Sequence, residues 1–336
     1  MAKVGVIGAG SWGTALAVLL DGNGHEVTLW SFLQSEVEML KKEREQKEKL
    51  PGVKISERMH ITGDMQEAIE GMDVVVLAVP STVIRSTAAK CAKFAVKGQI
   101  FVDVAKGIEE DTLLTMTEII REEIPVANVA VLSGPSHAEE VGRGIPTTIV
   151  VGAKDQATAI YLQNIFMNDR FRVYISSDMI GIELGGALKN VVALAAGAAD
   201  GLGYGDNTKA ALITRGIVEI SRLGMAMGGK YETFCGLTGI GDLIVTCASE
   251  HSRNRRAGFL IGQGHSYKEA MDEVKMVVEG VYSAKAAMAL GRKYGVSLPI
   301  IEKVNEVLFE GLSAEEAVRE LMLRDKTMEH SLVDWE

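Results

Sequence analysis

Cysteine is scarce in this chain of 336 residues, which contains only three. Cys91, Cys235 and Cys247 lie far apart, and none of them belongs to a Cys-x-x-Cys pair. Disulfide-rich secreted domains and zinc sites both depend on closely spaced cysteines. The sequence therefore predicts neither a disulfide framework nor a zinc site, and it favours a reducing compartment. We expect a cytoplasmic protein.

Long apolar runs and an excess of positive charge are also missing. No apolar stretch reaches the roughly 18 residues that a membrane span needs, and glycines interrupt the N-terminal apolar run too early for a signal peptide. The chain has 35 Lys and Arg against 45 Asp and Glu, a net charge of −10 at pH 7. This balance argues against nucleic acid or an anionic membrane as the main partner. An anionic substrate would need a local basic pocket.

Glycine is abundant, and three glycines near the N-terminus form a G-x-G-x-x-G pattern. Gly8, Gly10 and Gly13 stand between an apolar strand at Lys3–Ile7 and a helix at Thr14–Leu20. In a dinucleotide site the first glycine permits a tight turn, the second leaves room for the pyrophosphate, and the third allows close helix–sheet packing. The helix N-terminus attracts phosphate. The alternative is a glycine-rich turn without a ligand.

Strands and helices alternate along the first half, which predicts an α/β, Rossmann-type doubly wound sheet. We expect a helix that ends in the charged run 41–49, read as a solvated helix face, and another helix at Asp64–Glu70. Ligands gather at the carboxyl ends of such strands. Lys106 follows one buried strand, so we favour a site role over an ordinary surface lysine. The other predicted strands are Glu26–Trp30, His60–Thr62, Asp73–Pro80, Ile100–Ala105, Val129–Ser133, Thr147–Gly152 and Arg172–Ser176.

From about residue 180 the pattern changes to long helices with almost no strand signal. The length suggests about two domains, and we predict a dinucleotide-binding domain at 1–180 and an all-helical catalytic domain at 181–336. The segment Glu183–Ala199 is rich in small residues and reads as a core helix. Lys189 and Asn190 interrupt it. A buried lysine has a lowered pKa suited to proton transfer, although a lysine extending to solvent is the plainer alternative. The apolar half could also form a homodimer.

Two polar groups follow in the helical half. Asp242 lies beside two glycines and is a candidate partner for a lysine. The segment Arg253–Arg256 is the densest positive patch of an acidic chain, and a guanidinium suits a phosphate monoester. A basic surface turn is the alternative. Together these features predict a dinucleotide-linked enzyme that acts on a small phosphorylated alcohol or ketone.

At these residues the chain closely resembles the NAD(P)-dependent glycerol-3-phosphate dehydrogenases. The matching stretches run in family order across almost the whole chain. They are Gly8-Ala-Gly-Ser-Trp-Gly-Thr-Ala-Leu, Val79-Pro-Ser, Ala105-Lys-Gly, Ser133-Gly-Pro-Ser, Leu184-Gly-Gly-Ala-Leu-Lys-Asn, Leu212-Ile-Thr-Arg-Gly, Gly241-Asp-Leu, Ser252-Arg-Asn-Arg-Arg and Val278-Glu-Gly. The resemblance implies interconversion of sn-glycerol 3-phosphate and dihydroxyacetone phosphate, supplying phospholipid synthesis, with no metal.

The resemblance also implies a role for individual residues. Lys189 would exchange a proton with the C2 oxygen, Lys106 would bind and orient the substrate, and Asp242 would complete the catalytic group. The implied substrate contacts are Lys106, Gly134, Ser136, Lys189, Asn190, Asp242, Thr246, Ser252, Arg253 and Asn254. The implied cofactor contacts are Gly8, Gly10, Ser11, Trp12, Gly13, Phe32, Lys106, Ala138, Arg253, Val277 and Glu279.

The end of the second strand departs from both cofactor patterns. Sites selective for NAD place an acid about 20 residues beyond the glycines, but here the strand ends in Trp30-Ser31-Phe32. Phe32 supplies neither an acid for NAD nor a cation for NADP, while Ser31 could bind either ribose and an aromatic ring could stack near adenine. We leave the preference open, with dual use as the hypothesis.

Three rival functions remain. Dehydrogenases of the 3-hydroxyisobutyrate or 6-phosphogluconate type also use a lysine, but the Gly241-Asp-Leu and Ser252-Arg-Asn-Arg-Arg stretches argue against them. A nucleotide-sugar dehydrogenase would need a cysteine nucleophile, for which Cys247 is the candidate. The third rival is a non-catalytic, dinucleotide-sensing protein.

Overall fold

The computed structural model describes residues 1–326 together with 328 and 329, and one eight-stranded sheet dominates the first half of these residues. The strand order is β3-β2-β1-β4-β5-β6-β7-β8. The strands are β1 (Lys3–Ile7), β2 (Glu26–Trp30), β3 (His60–Thr62), β4 (Val74–Leu77), β5 (Ile100–Asp103), β6 (Asn128–Ser133), β7 (Thr147–Ala153) and β8 (Phe171–Ser176). The predicted α/β sheet is confirmed.

Most neighbouring strands are parallel, as β1 with β2 and β4, but β6 and β7 are antiparallel. The connection between β6 and β7 holds only a five-residue helix, α5 (Ala138–Gly142). Such a helix is about 8 Å long, too short to carry the chain back along a strand of about 20 Å. The chain therefore reverses direction here, which the alternation of elements did not reveal.

Helices cover both faces of this sheet, which explains why β4 is buried along its whole length. Leu16 and Leu20 pack against one face, while Phe101 and Ile120 belong to the core on the other. The remaining helices of this half are α1 (Ser11–Gly22), α2 (Gln34–Glu43), α3 (Ile84–Cys91), α4 (Met116–Glu123) and α6 (Gln156–Phe166).

Two helix predictions in this half were wrong. Residues 65–70 form turns rather than a helix. The charged run is helical only as far as Glu43, because Arg44 adopts a left-handed φ of 49° and ends α2. The chain then folds back under the glycine turn, where Gln46 is fully buried and donates to the Ala9 carbonyl at 2.8 Å. The alternating charges of this run favoured a solvated helix face, so the fold-back was not predicted.

The second half is helical, as predicted. Its centre is α7 (Met179–Gly201), which is long and apolar enough to cross a membrane by length and composition alone, but 89% of its apolar window is buried inside the protein. The other helices are α8 (Asp206–Ala226), α9 (Tyr231–Phe234), α10 (Asp242–Ala248), α11 (Arg253–Gly262), α12 (Tyr267–Val274), α13 (Glu279–Tyr294), α14 (Pro299–Asn305) and α15 (Ala314–Met322).

Glycines bring the backbones of α7 and α11 into direct contact. A Cβ on Gly197 would lie 2.0 Å from the Arg255 carbonyl oxygen, and one on Gly258 would lie 2.1 Å from that of Leu194. Gly201 and Gly262 make similar approaches one turn along. This close crossing brings the first turn of α11 beside the middle of α7, where Lys189 and Asn190 lie.

We predict that Gly258→Ala lowers the free energy of unfolding by about 1–3 kcal/mol, because the new methyl group must push two packed backbones apart. The matched control is Gly22→Ala at the end of α1, where an added Cβ meets no described atom within 4 Å. That control should leave the free energy of unfolding unchanged or raise it by up to about 1 kcal/mol, because alanine favours a helix more than glycine does. Urea unfolding measures both, and equal midpoints for the two variants would contradict this account of the crossing.

Candidate active site

The glycine turn has the shape that a pyrophosphate requires. Gly8 has a φ of +119°, and a Cβ there would lie 2.5 Å from the Ala78 carbonyl oxygen. A Cβ on Gly13 would collide with the Gly8 oxygen at 1.9 Å, whereas one on Gly10 would meet no described atom within 4 Å. No described side chain caps α1, so the N–H groups of its first turn, around Ser11 and Trp12, stay available to an anion. These residues fit a dinucleotide.

Two lysines share one buried carboxylate beyond the carboxyl end of β5. The Nζ of Lys106 lies 2.6 Å from Oδ2 of Asp242, and the Nζ of Lys189 lies 2.6 Å from its Oδ1. Lys106 also donates to the Gly134 carbonyl at 2.9 Å, and Lys189 donates to Oγ1 of Thr246 at 2.6 Å. The structure thus brings the three predicted catalytic residues into one cluster.

Each member of this cluster comes from a different part of the chain. Lys106 follows β5 by three residues, Lys189 lies in the middle of α7, and Asp242 begins α10. Gly186 faces the Lys106 side chain, because a Cβ there would lie 3.5 Å from Lys106 Cγ. At this contact a lysine of the sheet half passes α7 and reaches the carboxylate of the helical half.

The charges in the cluster control one another. Burial is the main reason that the pKa of Lys189 falls to about 8; Asp242 opposes the shift, and the neighbouring Lys106 adds to it. Burial alone would raise the pKa of Asp242, but the two ammonium groups outweigh burial and hold it below its usual value. A lysine with a pKa near 8 can exchange a proton at neutral pH. The alternative of a lysine extending to solvent is excluded, since Lys189 is buried.

A second network links α7 to α11 and α13. The side chain of Asn254 donates to Asn190 Oδ1 at 2.9 Å and accepts from the Gly280 N–H at 2.8 Å. Asn190 in turn lies 3.4 Å from the Lys106 carbonyl. Asn254 therefore uses its side chain to hold neighbouring elements together.

The first turn of α11 forms a basic edge next to this network. Ser252 caps the helix by accepting from the Arg255 N–H at 3.2 Å. Arg253 starts the helix, and burial lowers its pKa against the attraction of Glu279 and Glu139. A helix N-terminus with an arginine is suited to bind phosphate.

The loop after β6 faces the lysine cluster. The Gly134 carbonyl accepts from both Lys106 and the Ser136 hydroxyl, the latter at 2.9 Å. Ala138 begins α5 and is buried. His137, between them, was not predicted; burial lowers its pKa, and the charge of Lys189 adds to the effect. Its ring packs edge-on to His251 at 5.8 Å.

Glu279 joins the two halves from the helical side. Its carboxylate accepts from the backbone N–H of Ser81 at 3.1 Å and from the Ser81 hydroxyl. Burial raises the pKa of Glu279, although these hydrogen bonds oppose the shift. Ser81 was missed, but its place after β4, in a Pro-Ser pair at a strand end, was a usable signal. Val277 precedes α13 and is half-buried.

Strand β2 ends without an acid of its own, as the sequence indicates, but an acid reaches that end from α2. Glu36, in the first turn of α2, accepts from the Ser31 hydroxyl at the strand end and pairs with Lys49 at 2.6 Å. Phe32 is 73% exposed and stands apart from this group, with Lys90 Nζ 5.4 Å from its ring centre. A glutamate in a first helical turn ordinarily acts as a partner of the helix dipole, so no local pattern indicated this role.

Cys247 does not serve as a nucleophile in this arrangement. It is buried, and burial raises its pKa to about 12. A thiol with such a pKa is protonated and unreactive at neutral pH. This removes the basis for the nucleotide-sugar dehydrogenase alternative.

Comparisons with known proteins find relatives that match nearly the whole chain. A family model described as NAD-dependent glycerol-3-phosphate dehydrogenase N-terminus matches residues 3–159, and the C-terminus model of the same description matches residues 178–319. A protein of Agathobacter rectalis named glycerol-3-phosphate dehydrogenase, NAD(P)+, is 64% identical over 335 residues and covers 100% of both chains. A Bacillus subtilis protein of the same name is 52% identical and covers 98% of this chain and 96% of its own.

Solved structures of proteins with the same name also match nearly the whole chain. The crystal structure of glycerol-3-phosphate dehydrogenase from Coxiella burnetii has a TM-score of 0.93 at 36% identity and covers 96% of this chain and 99% of that one. A structure of the yeast enzyme has a TM-score of 0.81 at 25% identity and covers 95% and 98%. The similarity thus extends over both the sheet and the helical half.

Proposed function

Because the chain belongs to the NAD-dependent glycerol-3-phosphate dehydrogenase family, we propose that Lys189, Lys106 and Asp242 form its catalytic centre. The protein is an oxidoreductase that interconverts sn-glycerol 3-phosphate and dihydroxyacetone phosphate with NAD or NADP. The observation that carries the proposed centre is the shared carboxylate, with both lysine Nζ atoms 2.6 Å from Asp242.

Lys189 is the proton carrier in this proposal. During alcohol oxidation its neutral amine takes the proton of the C2 hydroxyl, and in the reverse direction its ammonium returns that proton to the oxygen. The nicotinamide, when bound, accepts or supplies the hydride at C2. Lys106 remains positively charged beside the same oxygen and stabilises the negative charge that develops there. Asp242 keeps both side chains in position, while Thr246 orients Lys189.

The phosphate of the substrate lies at the first turn of α11 in this proposal. Arg253 and the helix N–H groups supply the charge, and Ser252 shapes the turn through its cap. Asn190 and Asn254 hold α7, α11 and α13 in register through their hydrogen bonds. Gly134 and Ser136 complete the wall of the site, because the Gly134 carbonyl accepts from both Lys106 and the Ser136 hydroxyl.

The dinucleotide extends from the glycine turn towards Lys106 in this proposal. Gly10 leaves space for the pyrophosphate and α1 presents its N–H groups. Glu279 and Arg253 close the other side of the cleft, held by the contact with Ser81. The further contacts proposed for the cofactor are Gly8, Ser11, Trp12, Gly13, Phe32, Lys106, Ala138 and Val277.

The domain division, compartment and assembly are also proposals. We divide the chain into residues 1–180 and 181–336, a boundary that falls at the start of α7 (Met179), shortly after β8 ends at Ser176. Free thiols at all three cysteines support a cytoplasmic location. The apolar helical half supports a homodimer, which light scattering after size exclusion tests; a monomeric mass would refute it.

We predict that Lys189→Met lowers kcat for dihydroxyacetone phosphate reduction by about 100- to 10,000-fold, the usual contribution of a positioned proton carrier. The spectrophotometric assay follows oxidation of NADH and NADPH. Lys97→Met is the matched control, because this lysine is exposed in the loop before β5, and it should retain full activity. Wild-type activity in Lys189→Met would contradict the proposed role, and an inactive wild type would contradict the function itself.

The two directions should respond oppositely to pH. Oxidation needs the neutral amine of Lys189, so kcat/KM should rise with pH and level off above the pKa of about 8. Reduction needs the ammonium form, so its kcat/KM should fall as pH rises through the same value. Initial rates in both directions between pH 6 and pH 10 measure this. A reduction rate that stays constant across pH 8 would contradict the assignment.

A further inference from the structure

The end of β2 lies where dinucleotide-binding sheets hold the adenosine ribose, and an acid there usually accepts a hydrogen bond from the 2′-hydroxyl. Ser31 occupies that position in this chain. The carboxylate comes instead from the next helix, since Glu36 reaches back to the Ser31 hydroxyl from the first turn of α2. The acid is therefore present, but in sequence it lies five residues after the strand-end position that Ser31 occupies.

The carboxylate of Glu36 accepts hydrogen bonds from three side chains. Its Oε1 accepts from Gln46 Nε2 at 2.7 Å and from Lys49 Nζ at 2.6 Å, while its Oε2 accepts from Ser31. The side chain of Glu36 is only 10% exposed, whereas that of Lys49 is 32% exposed. The ammonium group can consequently leave the carboxylate at less cost than the carboxylate can leave its site.

The same segment is fastened to the glycine turn. The Ser11 hydroxyl donates to the Lys49 carbonyl at 2.6 Å, and Gln46 donates to the Ala9 carbonyl at 2.8 Å. These two bonds hold Glu36 and Lys49 between the proposed pyrophosphate site and the end of β2.

We propose that Glu36, with Lys49 as its counter-ion, determines how the protein discriminates between NAD and NADP. Glu36 accepts a hydrogen bond from the ribose 2′-hydroxyl of NAD and repels the 2′-phosphate of NADP. Lys49 offsets part of that repulsion by turning to the phosphate. The protein thus binds both dinucleotides and prefers NAD. This inference rests on the proposed dinucleotide site but not on the identity of the substrate.

Direct binding tests the proposal without any turnover. Titration with NADH or NADPH, followed by quenching of protein fluorescence, gives both dissociation constants for wild type, Glu36→Gln and Lys49→Gln. We expect Glu36→Gln to shift the affinity ratio about tenfold towards NADPH, because a like-charge contact is removed. Lys49→Gln should shift it about tenfold towards NADH. The matched control is Glu38→Gln on the exposed side of α2, which should leave both constants unchanged.

A purely structural role gives a different result. If the pair only fastens the loop to the glycine turn, each variant weakens NADH and NADPH by the same factor, and that outcome overturns the proposal. A ratio within twofold of wild type in Glu36→Gln also overturns it. Failure of the proposed function would appear separately, as absence of dihydroxyacetone phosphate reduction by a wild type that still binds both dinucleotides.

Discussion

The double ion pair of Asp242 is the interaction on which the rest of the structure depends. One carboxylate joins a lysine of the sheet half to a lysine at the centre of the helical half, each at 2.6 Å. Losing one partner of a buried pair usually costs about 3–5 kcal/mol, because the remaining charge stays buried and unpaired. Burial and the charge of Lys106 lower the pKa of Lys189 and make it a weaker base than an ordinary lysine, while Asp242 limits the fall. The interaction that joins the halves therefore also moderates the reactivity of Lys189.

Packing makes this interaction possible. The α7 helix carries glycine where Lys106 and α11 approach it, so two backbones and a long side chain meet around Lys189. Asn190 and Asn254 then fix the crossing by direct hydrogen bonds. Small residues on α7 thus set how closely α11 packs against it.

Much of this arrangement could be predicted from the sequence, since it depends on local patterns. Alternating strands predicted the sheet, and lone polar residues in an apolar helix indicated Lys189 and Asn190. Features that depend on contacts between segments distant in sequence could not be predicted. The fold-back that buries Gln46 was predicted to be a solvated helix face, and Glu36 was not singled out, because its contact with Ser31 depends on how α2 packs. The antiparallel β7 depends on how far a five-residue helix can carry the chain.

The most direct test of the central claim is the pKa of Lys189, measured by NMR titration of protein with 13C-labelled lysine Cε. Burial beside Lys106 predicts a lysine that titrates near pH 8, and the shared carboxylate predicts a still lower value in Asp242→Asn, because the attraction that raises the pKa is lost. A wild type in which the Lys189 resonance titrates above pH 10, with no change in Asp242→Asn, would contradict it.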